Sequence, residues 1–407
     1  MANTAVQKIL ARASGAASVP EGAVVYPNPE LIIIHDGIVE TLYDELAGLG
    51  YARIVNPERV MFVTDHEVAY GSQKGVERGR NIRRIAKAWK VGRFYDVGRG
   101  GHGHIFPMEQ GLVTPGMFLF AYDMHCTNFG AVGALAMASG YETSTVLATG
   151  SLWTQVPATI CVTLSGQFAR GSHPRDLGFI LAHGFATRRW GVDCDGKVVE
   201  FVGEALENLT LASRVALCNS ITELGAANVF FPDDDIASDV GAPYAAQISI
   251  DLRSISPQVA LPGGPERAAD VTSVAGQPID HAFLGSCGSS MFEDFAYAAR
   301  VLDGKRLAPG VRMFVVPGSI AIAQRMASDG LTQIFLNAGA MVLPSGCGPC
   351  AGGLMGPLGA GEVSISTAAT NHAGRFGPLD GQAYLGSPIT VAASAVAGYI
   401  VDPRTAR

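Results

Sequence analysis

Short apolar runs alternate with amphipathic stretches along most of this chain. Residues 60–63, 117–121 and 158–162 consist mainly of consecutive apolar side chains, which is typical of strands buried on both faces. Residues 73–89 carry apolar side chains at helical spacing opposite a charged face, which predicts an amphipathic helix. Residues 313–316 and 319–329 repeat the strand–helix order towards the end of the chain. This alternation predicts an α/β fold built mainly on parallel sheets.

Shorter segments are assigned by the same criteria. Val6, Ile9 and Leu10 stand at helical spacing near the start, which favours a structural helix over a signal peptide with a continuous apolar centre. Residues 133–140 are predicted to form a tightly packed helix. Residues 145–148 and 333–336 are predicted to be strands, because each is a short run rich in apolar side chains.

Two changes of composition suggest where domains meet. Residues 231–238 are acidic and rich in turn formers, and residues 254–280 hold few large apolar side chains but many Pro, Gly and Ala. A length of 407 residues is typical of about two to three domains. We therefore predict domains over residues 1–158, 159–280 and 281–407.

Charge and cysteine content exclude several classes of protein. The chain has 29 basic and 36 acidic residues, and its net charge of −7 offers no basic field to attract nucleic-acid phosphates. No apolar run approaches the ~20 residues that cross a bilayer, so no membrane span is expected. Seven cysteines are an odd number in a large chain, which disfavours a disulfide framework and predicts a reducing, cytoplasmic location.

A Cys-x-x-Cys motif is the strongest local signal for chemistry. Cys347 and Cys350 stand in a short loop of Gly and Pro, which lets two thiolates point to one centre. Cys287 occupies a similar Gly/Ser turn, between a short apolar run and a predicted helix that starts near Met291. Three thiolates can hold three irons of a cubane cluster and leave a fourth iron open for Lewis-acid catalysis. The motif by itself also fits half of a zinc site or a redox pair.

Three clusters of histidine and carboxylate residues lie in the first third of the chain. Two of them directly follow predicted strands, where ligands bind in open α/β sheets, and the third is flanked by glycines. A carboxylate next to an imidazole can orient the ring and raise its pKa. A single histidine is more often a structural residue, but three such clusters together favour acid–base chemistry. Their members are Asp65, His66, His102, His104, Asp123 and His125.

These motifs occur in a fixed order with others along nearly the whole chain. The others include Glu109-Gln110-Gly111, Val198-Val199-Glu200-Phe201, Gly285-Ser286-Cys287 and Gly374-Arg375-x-Gly377. The ordered set resembles the large subunit of 3-isopropylmalate dehydratase, within the aconitase superfamily. This resemblance implies aconitase-like three-layer α/β/α domains around a cluster site, without the swivelling domain of the superfamily.

For function, the resemblance implies a hydro-lyase that removes and re-adds water on a hydroxy di- or tricarboxylic acid. Asp65 and His66 match the pair that protonates the departing oxygen, and Arg375 matches an arginine that binds a substrate carboxylate. A [4Fe-4S] cluster would supply an open iron as a Lewis acid. The residues that match its ligands are Cys287, Cys347 and Cys350. The residues expected to line the cluster and its water are His104, Asp123, His125 and Glu200.

The chain departs from the family pattern at positions that contact substrate. In the segment before Arg375, Ala369 replaces an asparagine and Thr370 replaces a substrate-binding arginine. Gly288 and Ser289 stand where the family has Thr-Asn after the first cluster cysteine. Loss of a guanidinium that binds a carboxylate is not a conservative change. The substrate is therefore expected to be related to 3-isopropylmalate but different from it.

The resemblance also implies a partner. In the superfamily, the serine that acts as base lies in a Gly-Ser-Ser-Arg turn on the swivelling domain, and no such turn follows Ala397-Gly398. We therefore expect a small subunit that carries the swivelling domain. The other expected partner is a small hydroxy-carboxylic acid substrate, with neither nucleic acid nor membrane involved.

Two alternatives remain open. Cys126, next to His125, could join or change the metal centre of an enzyme with the same fold that acts on another hydroxy acid. A small buried residue is the simpler interpretation of that cysteine. The second alternative is a non-catalytic cluster protein or nucleic-acid sensor, which the acidic net charge and the retained Asp65, His66 and Arg375 disfavour.

Overall fold

The computed structural model describes residues 2–405, which cluster into two compact units. The first unit comprises the chain as far as Thr163 together with Cys194–Val202 and Gly225–Ile248. The second comprises Leu164–Asp193, Gly203–Leu224 and the chain from Ser249 onward. The finer division at residues 158 and 280 stays a prediction.

The strands and helices are numbered in chain order over the described residues. The strands are β1 (Val24–Val25), β2 (Leu31–His35), β3 (Val60–Val63), β4 (Arg93–Tyr95), β5 (Phe118–Ala121), β6 (Leu135–Ala138), β7 (Thr154–Gln155), β8 (Thr159–Ser165), β9 (Val198–Val202), β10 (Asn228–Phe230), β11 (Ala246–Asp251), β12 (Gln258–Ala260), β13 (Ala268–Asp270), β14 (His281–Leu284), β15 (Arg312–Val315), β16 (Met341–Val342), β17 (Val363–Ser366) and β18 (Gln382–Gly386). The α-helices are α1 (Ala5–Ala13), α2 (Val39–Gly48), α3 (Gln73–Trp89), α4 (Phe106–Glu109), α5 (Thr143–Thr149), α6 (Pro174–Ala186), α7 (Leu211–Thr222), α8 (Phe292–Leu302), α9 (Ile320–Ser328), α10 (Leu331–Ala338) and α11 (Pro388–Ala397).

The first unit contains a five-stranded parallel sheet in the order β4-β3-β2-β5-β6. Every residue of β2 is buried, in agreement with its unbroken apolar run. Ile9 of α1, Leu42 of α2 and Ile85 of α3 share one buried apolar cluster with residues of these strands. The chain proceeds from β2 to β4 on one side and from β5 to β6 on the other. The neighbouring strands β2 and β5 therefore flank the topological switch point, where ligands bind in such sheets.

A second sheet has the order β10-β9-β8-β11, and β8, β9 and β10 are parallel. Its strand β9 carries Glu200, which pairs in register with Cys161 of β8 and Phe230 of β10. The side chain of Glu200 is fully buried. A carboxyl group in the middle of such a strand needs hydrogen-bond partners, because burial without them is costly.

The second unit is built on a seven-stranded sheet in the order β13-β12-β18-β17-β14-β15-β16. Strands β14 to β18 are parallel to one another, whereas β12 is antiparallel to both β13 and β18. Residues 254–280, whose composition suggested a boundary, supply β12 and β13 to this sheet. Phe283, Val316 and Phe376 belong to the buried apolar cluster of this unit. The carboxyl ends of β14, β16 and β17 lead into the loops of Cys287, Cys347 and Thr370.

The α/β prediction with mainly parallel sheets is confirmed. Helix α3 has the predicted bounds, and strand β3 and helix α1 lie where the apolar spacing placed them. Ser72 accepts a hydrogen bond from the backbone of Gly75 at 3.1 Å and so caps α3 at its start. None of the helices within residues 2–405 has the length and apolar character of a segment that crosses a bilayer.

Three short assignments were wrong. Residues 133–140, predicted to be a helix, contain strand β6, and residues 145–148, predicted to be a strand, lie in helix α5. Residues 333–336 lie in helix α10, whose apolar Leu331, Ile334 and Phe335 follow a helical spacing that the shorter window did not include. A run of four apolar residues fits either a strand or one helical turn, so packing against neighbouring elements decides.

Candidate active site

The histidine and carboxylate clusters of the first unit converge because they follow neighbouring parallel strands. Asp65 and His66 follow β3, His104 follows β4, and Asp123 and His125 follow β5. Since all these strands are parallel, their carboxyl ends lie at one edge of the sheet. Ring contacts with centroids 6.4 Å apart or closer join these histidines to two others, so that the set consists of His35, His66, His102, His104 and His125.

Asp65 is the centre of this cluster. Its carboxylate is fully buried and lies 2.9 Å from His35 Nδ1 and 2.8 Å from His66 Nδ1. The backbone N–H of Gly103 donates a third hydrogen bond to it at 2.8 Å. Burial opposes ionisation of Asp65, but the two imidazoles outweigh it and hold its pKa well below the usual value. Asp65 therefore stays ionised and orients both rings.

His66 is the member of this group that reaches solvent. Its side chain is 33% exposed, whereas that of His35 is 4% exposed. Its Nδ1 lies 3.0 Å from Asp36 as well as 2.8 Å from Asp65. Two carboxylates on one ring nitrogen favour the tautomer with Nδ1 protonated, and the opposite nitrogen Nε2 is then directed away from them. This arrangement suits proton exchange with a ligand, and the role of the Asp65–His66 pair in catalysis stays a prediction.

His35 was not identified from the sequence, although it ends the apolar run of β2. Its Nε2 lies 3.0 Å from Nε2 of His104. Burial would lower the pKa of His35, but Asp65 outweighs this and raises it, whereas burial lowers the pKa of His104 well below the usual value. When His35 is protonated, it donates through Nδ1 to Asp65 and through Nε2 to a neutral His104. The sequence signal that could have identified His35 is its position at the end of strand β2.

Asp123 and His125 form a second carboxylate–imidazole pair. Asp123 caps the short helical segment Met124–Val132 and accepts from the backbone N–H of His125 at 2.8 Å. The same carboxylate oxygen lies 2.9 Å from His125 Nδ1. Burial opposes ionisation of Asp123, but His125 outweighs it and holds the pKa of Asp123 well below the usual value. Both predicted residues thus belong to the acid–base cluster.

Glu200 and Cys126 have other surroundings. The carboxylate of Glu200 accepts hydrogen bonds from Ser238 Oγ and Tyr244 Oη, each at 2.8 Å, and burial raises its pKa. A role for Glu200 at the reaction centre stays a prediction. Cys126 is fully buried, and this burial raises the pKa of its thiol, which suits a neutral packing residue better than a metal ligand.

The three cysteines predicted to bind the cluster lie in two loops of the second unit that both approach Phe283 and Val316. Cys287, Cys347 and Cys350 are all buried. Gly285 has a φ of 147°, and a Cβ there would lie 2.7 Å from Phe283. Gly348 has a φ of 60°, and a Cβ there would lie 2.7 Å from Val316 and 3.3 Å from Phe283. Both loops need glycine at these positions, because a larger side chain would not fit so close to Phe283 and Val316.

Nitrogen donors face the sulfur atoms. Asn219 of α7 donates through Nδ2 to Cys287 Sγ at 3.2 Å, and Arg375 donates through Nη2 to Cys350 Sγ at 3.5 Å. The neighbouring Cys350 raises the pKa of Arg375. Such donors favour thiolates over thiols, and thiolates bind zinc and iron–sulfur clusters. The donor set of the second unit therefore fits the ligands of an iron–sulfur cluster.

Buried polar atoms in the same loops have no hydrogen-bond partner within residues 2–405. They include Arg375 Nε and Thr370 Oγ1, so both residues predicted to bind substrate have an atom that can still pair. The buried hydroxyls of Ser289 and Ser290, next to the Cys287 loop, also lack a hydrogen-bond partner within these residues. Buried polar groups normally have partners, so this set fits a polar or anionic ligand.

Sequence reasoning also missed residues in the second unit. Asn219 and Glu223 lie on and just after α7, in a segment whose sequence shows no recognisable motif. Glu223 Oε2 lies 3.5 Å from His372 Nε2, and its charge acts on Arg375. Arg175, in the first turn of α6, is fully buried and lies near Cys287 and Cys350.

Comparisons with known proteins agree with this chemistry. Residues 8–239 and 270–398 match the model of the aconitase family (aconitate hydratase). The chain is 33% identical over 422 residues to 3-isopropylmalate dehydratase large subunit 1 of Methanopyrus kandleri, with 99% of each chain covered. It is 35% identical over 421 residues to the 3-isopropylmalate dehydratase large subunit of Moorella thermoacetica, again with 99% of each covered.

Among solved structures, the chain is similar to Thermococcus kodakaraensis aconitase X in its holo-form. The TM-score is 0.52 at 15% sequence identity, and the match covers 90% of this chain and 89% of that one. Identity at this level supports a common fold and nothing further. The predicted aconitase-like α/β fold is therefore confirmed.

Proposed function

Since the chain belongs to the aconitase family of hydro-lyases, we propose that it is the large subunit of a [4Fe-4S]-dependent dehydratase or isomerase. Its substrate would be a small hydroxy di- or tricarboxylic acid related to 3-isopropylmalate. The observation that carries this proposal is the set of three buried cysteines, two of which accept hydrogen bonds from Asn219 and Arg375. The Asp65-centred histidine cluster supplies the acid–base groups such a reaction needs.

The second unit would hold the cofactor and a substrate carboxylate. A [4Fe-4S] cluster on Cys287, Cys347 and Cys350 would supply a Lewis acid that makes hydroxide a better leaving group. The guanidinium of Arg375 would bind a carboxylate, because its Nε has no acceptor within the described residues. Thr370 would contribute a neutral hydroxyl at the position where the family has a second guanidinium.

The first unit would move the proton. His66 in its doubly protonated form would give its Nε2 proton to the departing hydroxyl group, which leaves as water, while Asp65 and Asp36 accept from Nδ1–H and stabilise the imidazolium. Asp65 keeps its charge throughout, because His35 donates to it from the buried side. His35 also donates to His104, so the relative orientation of these two rings is set before substrate binds.

A small subunit is part of the proposal. The relatives from Methanopyrus kandleri and Moorella thermoacetica are both named large subunits, and this chain covers 99% of each. The partner would supply the base that removes the substrate's carbon-bound proton. The reducing cytoplasm is the proposed location, because it preserves thiol ligands.

The test of the cofactor is anaerobic reconstitution with Fe²⁺ and sulfide. The wild-type chain should develop broad visible absorption and contain iron and sulfide in comparable amounts. Cys287→Ala should abolish the absorption, whereas Cys161→Ala in strand β8 is the matched control and should retain it. Stoichiometric zinc without sulfide in the wild-type protein would contradict the proposal.

A further inference from the structure

Arg175 is a fully buried arginine at the start of helix α6. The helix start is held by a reciprocal cap, in which the Arg175 backbone donates to His173 Nδ1 at 3.1 Å and the His173 backbone donates to Asp176 at 2.7 Å. The side chain lies with its Cζ atom 5.2 Å from the centre of the Phe179 ring. Backbone capping and ring packing together fix where the guanidinium lies.

Within the described residues, only part of the hydrogen-bonding capacity of the Arg175 guanidinium is used. Its Nη2 donates to the backbone carbonyl of Ala368, two residues before Thr370. Its Nε and Nη1 atoms are buried and have no acceptor within residues 2–405. Burial lowers the pKa of Arg175 to about 10, so the group still carries its positive charge at neutral pH. A buried charge with two unused donors requires an anionic partner.

The carboxylates near Arg175 are poor candidates for that partner. Burial raises the pKa of Asp294 to about 8 and that of Asp176 to about 7, so neither is a full counter-charge at pH 7. The other anionic groups that act on Arg175 are Cys287 and Cys350. Both are among the cysteines that the proposed cluster would use.

Gly288 makes room for this guanidinium. A Cβ at residue 288 would overlap Arg175 Nη1 and would lie 2.7 Å from Asn219 Oδ1 and 3.0 Å from the Thr367 carbonyl. A larger residue there, such as the threonine of the family pattern, would therefore displace Arg175. The departure at residue 288 and the buried arginine are two parts of one local arrangement.

We propose that Arg175 is a positioning residue whose positive charge stabilises the anionic centre held by Cys287, Cys347 and Cys350, and that Gly288 is required to admit it. This inference rests on the proposed function, because it takes the three thiolates to be cluster ligands. It predicts opposite effects of Arg175 in the two forms of the protein. In the metal-free chain, the buried positive charge of Arg175 lowers the stability of the fold. In the loaded chain, its contact with the anionic centre stabilises the protein.

The test compares wild type, Arg175→Met and Arg175→Lys, each before and after anaerobic reconstitution with Fe²⁺ and sulfide. Metal-free Arg175→Met should unfold at the same temperature as wild type or higher. After reconstitution, it should lose iron to EDTA about tenfold faster or more, followed by the decay of visible absorption. Its centre should also have a lower reduction potential. Arg175→Lys should recover part of both losses, since it keeps the charge.

Two further variants separate charge from packing. Gly288→Ala leaves Arg175 in the chain but displaces its guanidinium, so it should also release iron faster. Arg189→Met removes the same charge from an exposed position just after α6 and should behave as wild type. Equal loss of thermal stability in the metal-free and loaded forms of Arg175→Met would show a purely structural role and overturn the inference. Unchanged iron release and potential would overturn it as well.

Failure of the proposed function gives a different result. Wild-type protein that takes up no iron and sulfide would refute the cluster assignment. Zn²⁺ titration of the same thiols then decides the inference about Arg175. It stands if Arg175→Met weakens Zn²⁺ binding, and it fails if the affinity does not change.

Discussion

At the scale of single residues, the first unit depends on an imidazole that serves two neighbours. His35 donates to the ionised Asp65 and to the neutral His104, and all three side chains are buried. Removal of one member of a buried charged pair leaves the other without compensation. His35 is therefore expected to contribute to stability and to the orientation of the Asp65 carboxylate.

We predict that His35→Gln lowers the free energy of unfolding by about 3 kcal/mol at pH 6, because it leaves Asp65 short of a charged donor. The pKa of His35 is raised from its ordinary value of 6.5, so its stabilising effect is complete below about pH 6.5 and is lost as the pH rises through the folded-state pKa. Urea unfolding of both proteins from pH 6 to 9 checks this. The difference should shrink with rising pH, and a constant difference would contradict the explanation. The exposed His183→Gln is the control.

Thr370 is the second residue for which we predict a specific effect, in this case on substrate choice. Its hydroxyl is buried without a partner within the described residues, where the family pattern has an arginine. A charge-assisted hydrogen bond contributes about 1.5–3 kcal/mol, which corresponds to roughly tenfold or more in binding. We therefore predict that wild type uses 3-isopropylmalate poorly and that Thr370→Arg raises its kcat/KM about tenfold.

Steady-state rates with the small subunit present and the cluster reconstituted test this prediction. Thr370→Val is the matched control, because it removes the hydroxyl without adding charge and should not improve turnover. Efficient use of 3-isopropylmalate by wild type would show that another group binds the carboxylate.

At the scale of elements, helix starts bring charged groups into the second unit. Helix α6 presents Arg175 from its capped first turn, and helix α8 begins with Asp294 accepting from the Met291 backbone at 3.0 Å. Asp294 is buried, and its Oδ1 has no hydrogen-bond partner in the described part of the chain. The cap of α8 therefore depends on the protonation state of a carboxyl group.

We predict that Asp294→Asn removes a pH dependence of stability. Burial raises the pKa of Asp294 from 3.8 to about 8, so its contribution is complete below about pH 4 and is lost as the pH rises towards 8. The free energy of unfolding of metal-free wild type, relative to Asp294→Asn, should fall by roughly 4 kcal/mol between pH 5 and 8. Asp303→Asn, which removes the same charge from an exposed residue just after α8, should keep the wild-type slope. Parallel curves for wild type and Asp294→Asn would refute the assignment.

At the scale of the whole molecule, each unit carries one part of the chemistry. The first contains the Asp65-centred histidine cluster, and the second contains the three cysteines proposed to bind the iron–sulfur cluster. The relatives from Methanopyrus kandleri and Moorella thermoacetica are named large subunits. The proposed function therefore includes a small subunit.

We predict that the reconstituted chain alone is at least ~10²-fold less active as a hydro-lyase than the chain with its small subunit, because a missing base costs about 10²–10⁴-fold. The chain is co-expressed with the small subunit, and the formation of the double bond from candidate hydroxy acids is followed by absorbance to measure the difference. A His66→Ala chain combined with the small subunit should stay inactive. Robust dehydration by the wild-type chain alone would contradict the prediction.

Most of the fold and half of the candidate site could be predicted from sequence. Long elements such as β3 and α3 have a strong period, and the Cys-x-x-Cys motif and the Asp65–His66 pair are local patterns. The short runs at 145–148 and 333–336 could not be assigned correctly, because a few apolar residues are compatible with both kinds of element. Their helices depend on tertiary packing.

The residue types available for chemistry, and their order at strand ends, were readable from the chain alone, since both are local properties. Only the tertiary structure showed that His35 joins Asp65 to His104 and that Arg175 shares its space with Gly288. The pairs His35–Asp65, His35–His104 and Arg175–Gly288 are 30, 69 and 113 residues apart in sequence. Such separations are too long for a local sequence pattern to indicate the contact. His35, Asp65 and His104 meet because parallel strands end at one edge of the sheet. Arg175 meets Gly288 because the start of α6 is buried against the Cys287 loop. Tertiary packing determines both arrangements.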